Sequence, residues 1–419
     1  MSDIQTLFVD ENLQSHKKRI ANLCSNNSLL NVVAKNVNKR YLEDQDGHWL
    51  ADFATQSYLG FDFNEQIIEA AINATRQYGA VVAWCRLVAT VDLFIEAEEK
   101  VAKLVRAEAC SIFASTTLLN HGVIPALAGN EGLILLDKDG HGTLKEGALL
   151  AQAQGARIIK FDSKNITHLE KILLRTHKTF KKKLILTNGV ISRTGDYPDL
   201  PSLNMMAQKY DALVYVDDAH GFGVVGEKPS FSKPYGLKGN GLLNYYDLNY
   251  DNMVYVGCFS KAYGSFGAFI ACTKKLQKFL LSQATPHDLG GAGPASAIAA
   301  VLTGLKINEL EGEEIRKRIF SLTRKARKGL QELGYVINGD TLFPIINICL
   351  GKVKDIQRVA KILYDNHILV TLYPYPMVKI TNNSLRITVT ASNTEAEIDQ
   401  LIKAFQELKV YLLKKGYPF

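Results

Sequence analysis

Tryptophan occurs only twice and cysteine only six times in this 419-residue chain. The cysteines (Cys24, Cys85, Cys110, Cys258, Cys272 and Cys349) are scattered, with no Cys-x-x-Cys pair and no Cys/His cluster. That spacing excludes a sequence-local zinc site and a disulfide framework, and it points to a reducing compartment. Nor does any apolar run reach the roughly 20 residues that a helix needs to cross a bilayer. The opening "MSDIQTLFVDENLQ" lacks the basic and apolar regions of a signal peptide. The expected location is therefore cytoplasmic, with no integral membrane segment. Low-complexity tracts and internal repeats are missing too. The net charge of +7 is spread over "HKKR" (His16–Arg19), "KTFKKK" (Lys178–Lys183) and "RKARK" (Arg324–Lys328), none of them part of a nucleic-acid motif. Nucleic acid is therefore not an expected partner, and a mild preference for anionic ligands is all the charge supports.

What is present is the composition of a soluble globular protein, 47% apolar and 22% charged, in a chain long enough for two domains. Residues 1–50 read as an N-terminal arm with short apolar patches and no long period. Residues 51–290 alternate short apolar runs with helical patterns. The predicted strands are Cys110–Ser115, Gly132–Asp137, Ala156–Phe161, Lys183–Asn188, Ala212–Asp217, Met253–Cys258 and Phe266–Cys272. Runs this short and continuously apolar suit strands buried on both faces, and the intervening helices make the sheet largely parallel. Residues 291–419 change character. A long helix starts after Pro294, and a second helical period runs through Ile315, Ile319, Leu322, Leu330 and Leu333 to Gly334. Strand-like "LFPIINICL" and "LRITVT" follow, then a capped helix with Thr394 and Glu397 as capping box. The expected fold class is α/β: a large domain on a mostly parallel seven-stranded sheet, and a smaller C-terminal α+β domain.

In open α/β sheets ligands sit beyond the carboxyl ends of the strands. Following five of the predicted strands come Thr116 and Thr117, His141, Ser192, Asp218 with His220, and Ser260 with Lys261. Each is weak evidence alone, since a loop histidine or lysine is ordinarily a solvated residue. Together they suit a ligand with a carbonyl for a lysine amine, a basic ring nitrogen for a carboxylate, and a phosphate for a helix start. Pyridoxal phosphate meets all three demands. A metal site on Asp217, Asp218 and His220 is disfavoured, because adjacent strand residues point to opposite faces.

"YVDDAHGFGVVGE" followed by "GCFSKAYGSFGAF" resembles the α-oxoamine synthases, a family of fold type I (aspartate-aminotransferase-like) pyridoxal-phosphate enzymes. The likeness runs from "YLG" (Tyr58–Gly60) to "LRITVTASNT" (Leu385–Thr394). It implies that Lys261 binds the cofactor covalently and moves the substrate α-proton, and that Asp217 pairs with the ring nitrogen. His220 and Ser192 would meet the phenolic oxygen, and His141 would stack on the ring. Thr116 and Thr117 would approach the phosphate, with Cys258 and Ser260 also beside the cofactor. Arg386 would grip the amino-acid carboxylate, with Gln56 and Arg86 near the substrate. The implied reaction joins serine, alanine or glycine to an acyl thioester, carried by CoA or a carrier protein, with decarboxylation to an α-amino ketone. The register of "CFSK" leans toward the serine-using members. A homodimer is implied as well.

The departures are local. Val81, Trp84 and Cys85 stand where family members carry Gly or Ser, and Phe94 where histidine is common. Asn188 replaces an acid, Cys258 a threonine and Gln56 an asparagine. Ser115-Thr116-Thr117 replaces Ser/Thr-Gly-aromatic, and "DLGGAGPAS" (Asp288–Ser296) lacks the usual hydroxyl. They keep open a pyridoxal-phosphate aminotransferase or lyase without thioester chemistry. A non-catalytic synthase subunit conflicts with the retained Lys261.

Overall fold

A computed structural model of the protein describes residues 29–417. The described chain packs as two compact units, one formed by Gln56–Phe320 and the other by the residues before Gln56 together with those from Ser321 onward.

Strands β1 (Ala34–Asn38), β2 (Tyr41–Asp44) and β3 (Trp49–Asp52) make an antiparallel meander. They lie, but for the end of β3, in the stretch that the sequence reading leaves as an arm: β1 is exposed throughout and β2 mostly half-buried, so neither shows the unbroken apolar run of the central strands. Helices α1 (Glu65–Tyr78) and α2 (Asp92–Leu104) follow. The chain then alternates through β4 (Ala109–Phe113), α3 (Thr116–Ala128), β5 (Leu133–Asp137), α4 (Gly142–Ala153), β6 (Arg157–Phe161) and α5 (Ile166–Thr176). It continues through β7 (Lys183–Asn188), α6 (Leu200–Lys209), β8 (Leu213–Asp217), α7 (Leu242–Tyr245), β9 (Met253–Cys258) and β10 (Ala268–Cys272). Helices α8 (Lys274–Gln283), α9 (Thr285–Leu289) and α10 (Ala295–Glu332) complete this half.

All seven predicted strands are found, Lys183–Asn188 and Met253–Cys258 with the same bounds, and they share one sheet in the order β4-β10-β9-β8-β7-β5-β6. Strands β6, β5, β7, β8 and β9 are mutually parallel, and β10 is antiparallel to both β9 and β4. Strand β4 therefore runs in the same direction as β9. Every residue of β7 and β9 is buried, as a sheet covered on both faces requires.

The two helical periods read after Pro294 are one continuous 38-residue helix, α10. Its internal glycines are close-packing positions rather than breaks. A Cβ at Gly304 would lie 2.9 Å from Tyr263 Cδ1, and one at Gly312 would lie 2.5 Å from Asn308 Oδ1. The compact units divide within this helix at Phe320, whereas the sequence reading sets its boundary at residue 290, ahead of the helix.

The other unit continues with β11 (Ile337–Asn338), β12 (Ile345–Gly351), α11 (Ile356–Asp365), β13 (Ile368–Leu369), β14 (Thr371–Tyr373), β15 (Asn383–Thr388) and α12 (Glu395–Lys414). Its four-stranded sheet, β11-β12-β15-β14, packs Ile346, Ile348, Leu385 and Ile387 with Ile398, Leu401, Phe405 and Leu408 of α12. Helix α12 begins with the predicted capping box, Thr394 and Glu397 exchanging hydrogen bonds.

Helix α4 can approach α3 closely because Gly147 has no side chain. A Cβ there would lie 2.6 Å from the Asn120 carbonyl oxygen and 2.8 Å from Ile124 Cδ1. Gly147→Val is expected to lower the thermal unfolding midpoint by the equivalent of about 1–3 kcal/mol, the usual cost of overpacking. Gly142→Ala, at a position with open space around it, is expected to leave the midpoint in place. Differential scanning calorimetry of the two variants checks the contrast.

Candidate active site

Because β5, β7, β8 and β9 are parallel neighbours, the loops leaving their carboxyl ends share one edge of the sheet. His141, Ser192, Asp217 to His220, and Ser260 with Lys261 all follow those ends. Thr116 and Thr117 open α3 directly after β4, under the cap that Ser115 Oγ gives to the Leu118 N–H. Thr116 and Ser192 are half-buried, whereas Thr117 and Ser260 are exposed. The strand ends are in register: Asn188 pairs with Asp217, and Asp217 with Val256.

The two adjacent aspartates divide as strand alternation demands. Asp217 is 5% exposed; its Oδ2 accepts from Asn120 Nδ2 (2.9 Å) and its Oδ1 from the Ala219 N–H (3.3 Å). Asp218 is fully buried, and its Oδ2 accepts from the Leu242 N–H (2.8 Å) and the Tyr255 hydroxyl (3.0 Å). Burial pushes the Asp218 carboxyl up to about 7, with the Leu242 and Tyr255 hydrogen bonds offsetting part of the rise. Gly189 and Gly221 leave it room: a Cβ on either would lie 2.2 Å from Asp218 Oδ1.

Lys261 stands on a turn braced by aromatic rings. Tyr263 stacks on Phe222 with centroids 5.1 Å apart and planes 16° apart, and Phe259 packs edge-on to both. Gly223, at φ +88°, lets this turn seat, since a Cβ there would lie 2.6 Å from the Ala262 methyl. The half-buried Lys261 places Nζ 3.7 Å from Cys258 Sγ, and Ser260 Oγ lies 3.4 Å from the same sulfur. Cys258 in turn donates to the Ala219 carbonyl at 3.2 Å. One buried thiol thus ties the lysine turn to the aspartate loop.

His141 caps α4, its Nδ1 accepting from the Thr143 N–H at 3.3 Å and lying 2.9 Å from Thr143 Oγ1. Its own N–H donates to Asn188 Oδ1 (3.2 Å), while Asn188 Nδ2 donates to the Asp139 carbonyl (2.9 Å). A carboxylate at position 188 could not make the second bond, so this departure from the family pattern serves the loop that carries His141. His220 is 7% exposed, with Nδ1 2.7 Å from the buried Tyr58 hydroxyl. Gln56 is half-buried, its carbonyl accepting from the Tyr58 N–H at 2.8 Å.

Arg86 is committed elsewhere. Its guanidinium meets both carboxylate oxygens of Glu98 (2.6 and 3.2 Å) and the Ile112 carbonyl (3.2 Å), and it lies 5.2 Å from the Phe94 ring. Phe94 itself is buried, whereas Val81 and Trp84 are exposed. Arg386, in the other unit, is buried on β15, donates from Nη2 to Thr371 Oγ1 at 3.2 Å, and lies 5.7 Å from the Tyr373 ring.

Four residues of this constellation carry no role in the sequence reading: Tyr58, Asn120, Thr143 and Tyr215. Asn120 had a signal, as a polar residue among the buried Leu119, Val123 and Ile124 of an apolar helix. Among the described residues no group of three or more His, Cys, Asp or Glu side chains is arranged to hold a metal ion.

Compared with known proteins, residues 51–405 match the family model for aminotransferase class I and II. The 8-amino-7-oxononanoate synthase of Petrotoga mobilis is 31% identical over 378 residues, spanning 88% of this chain and 92% of that one. The chain belongs to the α-oxoamine synthase family. A second member of the family, the serine palmitoyltransferase of Bacteroides ovatus, is 29% identical over 87% of this chain and 90% of its own. The fold is shared with the serine palmitoyltransferase of S. paucimobilis, solved with a bound PLP–myriocin aldimine, at TM-score 0.84 and 23% identity over 97% of this chain and 98% of that one. It is shared also with the 8-amino-7-oxononanoate synthase of Francisella tularensis, at TM-score 0.71 and 22% identity over 88% and 99%. Fold type I, expected from the motifs, is the fold observed.

The Asp218 carboxyl gives a pH dependence with a defined sign. Its folded value, about 7, lies above the ordinary 3.8, so between about pH 4 and 7 the folded state holds a proton that the unfolded state has lost. The stability linked to this group is therefore complete below that window and is lost as pH rises through 7. Asp218→Asn removes the linkage. In thermal unfolding at pH 5, 6, 7 and 8 the variant is expected to gain on the wild type as pH rises; a constant difference would contradict the assignment.

Proposed function

We propose that the protein is a pyridoxal 5′-phosphate-dependent acyltransferase that condenses serine, alanine or glycine with an acyl thioester and releases CO₂, giving an α-amino ketone. The observation that carries this reading is the pairing of an amine and a carboxylate on adjacent parallel strand ends. Lys261 and Asp217 are linked there through Cys258 and Ala219. The names of the relatives, 8-amino-7-oxononanoate synthase and serine palmitoyltransferase, support the same chemistry.

The residues fit the cofactor. Asp217 is buried, and among the described residues the Asn120 amide and the Ala219 N–H donate to its oxygens, which leaves lone pairs for a ring N–H. When bound, the coenzyme supplies an electron-withdrawing ring that stabilises negative charge at the substrate α-carbon. Asp217 would hold the ring nitrogen, and His141 the ring face. His220, with Nδ1 fixed by Tyr58, would meet the phenolic oxygen together with Ser192. The first N–H groups of α3, at Thr116 and Thr117, suit the phosphate, with Ser260 close in sequence to the lysine. The Lys261 amine would bind the carbonyl carbon and then carry the α-proton.

Arg386 would take the substrate carboxylate, its planar fork matching two oxygens, with Gln56 beside the substrate. Arg86 is better read as a positioning residue, since Glu98 and the Ile112 carbonyl engage its guanidinium. Either CoA or a carrier protein can present the thioester. A homodimer accords with the exposed Val81, Trp84, Leu87 and Val88 in one short segment. A cytoplasmic location accords with the unpaired thiols of Cys85, Cys110, Cys258, Cys272 and Cys349.

Protein saturated with pyridoxal phosphate is expected to change its visible spectrum with at least one of serine, alanine and glycine. It should then consume an acyl-CoA, with a product of the decarboxylated mass. Amino-acid-dependent spectra with no thioester consumed would contradict the acyltransferase. Lys261→Ala is expected to lose at least about a thousandfold in turnover. Arg386→Lys should raise the amino-acid KM roughly tenfold, with a smaller change in kcat.

A further inference from the structure

Asn120 lies inside α3, fully buried, and all of its side-chain hydrogen-bonding groups are used. Its Oδ1 accepts from the Tyr215 hydroxyl at 2.6 Å. Its Nδ2 donates to Asp217 Oδ2 at 2.9 Å and to Thr143 Oγ1 at 3.0 Å. Tyr215, fully buried, shares β8 with Asp217, and Thr143 opens α4 next to His141. One amide therefore joins the strand that carries the carboxylate to the helix that carries the histidine.

The donors and acceptors allow only one direction along this chain. With the amide turned over, its oxygen would face the oxygens of the acceptor-only Asp217 carboxylate, so Asp217 fixes the orientation and the Tyr215 hydroxyl donates to the oxygen that remains. Thr143 Oγ1 accepts from Asn120 and lies 2.9 Å from His141 Nδ1, and since the backbone bond to that nitrogen makes it an acceptor, the hydroxyl meets it with its own hydrogen. The Thr143 N–H donates to that same nitrogen. A nitrogen that receives two hydrogens carries none, so the ring hydrogen of neutral His141 belongs on Nε2. The close approach of α4 to α3 over Gly147 brings the Asn120 and Thr143 side chains within reach.

We propose that Asn120 is a positioning residue that sets two cofactor-facing groups at once: the plane of the Asp217 carboxylate, directly, and the tautomer of His141, through the Thr143 hydroxyl. Neither composition nor family resemblance assigns a role to Asn120, Thr143 or Tyr215. The inference rests on the proposed function for what Asp217 and His141 face, but the hydrogen-bond chain itself belongs to the protein without ligand. Amides and hydroxyls that hydrogen-bond to ligand-facing groups tune a site by fixing the orientation of those groups.

The test uses full-length protein labelled with ¹⁵N-histidine, free of cofactor, the His141 signal being the one lost in His141→Gln. Wild-type His141, when neutral, is expected to show an unprotonated Nδ1 and a protonated Nε2. Thr143→Val removes the shorter contact to Nδ1 and leaves the longer one from the backbone N–H, so it should shift the ring part of the way toward a mixture of tautomers, and Thr143→Ser should restore the wild-type signal. Asn120→Leu should disturb the tautomer too and weaken pyridoxal phosphate binding roughly tenfold in equilibrium dialysis, the scale of one hydrogen bond to a charged group. Thr143→Val leaves the Asn120–Asp217 bond intact, so it decides the tautomer claim even where Asn120→Leu fails to fold. A wild-type tautomer in Thr143→Val, or wild-type cofactor affinity in folded Asn120→Leu, would overturn the inference. Because the tautomer measurement needs no cofactor, it stands apart from the result that would sink the proposed function, namely a wild-type protein that binds no pyridoxal phosphate.

Discussion

A carboxylate at the buried end of a strand is tolerable only where hydrogen-bond donors replace the water it has lost. That requirement, at Asp217, organises the rest of the site. The strand ends on the carboxylate, and the Ala219 N–H two residues later turns back onto it. The neighbouring helix supplies Asn120, and a tyrosine from the same strand holds Asn120 in turn. Two donors do not exhaust the lone pairs of a carboxylate. A ligand N–H completes such a set, and this is the physical basis of the proposed pairing of Asp217 with a protonated ring nitrogen.

The same edge illustrates how a site is built by removing side chains as much as by adding them. Gly189 and Gly221 flank Asp218, Gly223 admits the lysine turn, and Gly147 admits α4. The turn bearing Lys261 would otherwise be a flexible loop, but Phe222, Phe259 and Tyr263 lock its two flanks into the core. Rigid mounting matters because an amine that must reach one carbon has little tolerance for misplacement.

The sheet was legible in the sequence because its strands are buried on both faces and so appear as short, unbroken apolar runs. That Asp217 and Asp218 have different surroundings was legible as well, since adjacent strand residues point to opposite faces; the choice of Asp217 for the cofactor comes from the family resemblance. The meander β1 to β3 escaped because its strands are short and β1 is exposed throughout. The continuity of α10 escaped because its apolar positions read as two separate periods, after Pro294 and from Ile315, and Gly304 and Gly312 between them do not break it. In the site, Arg86 stays in register with the family motif, yet only the structure shows that Glu98 engages it. The Asn120 network joins residues 95 and 97 positions apart in the chain, a pairing that local spacing does not reveal.

The central claim is that the amine of Lys261 is the one that binds the cofactor, opposite the carboxylate of Asp217. Its most direct test is chemical. Protein incubated with pyridoxal phosphate, reduced with borohydride and digested should yield a single peptide carrying the reduced phosphopyridoxyl group, with the modification on Lys261. Modification on another lysine, or spread over exposed lysines with Lys261 untouched, would contradict the account.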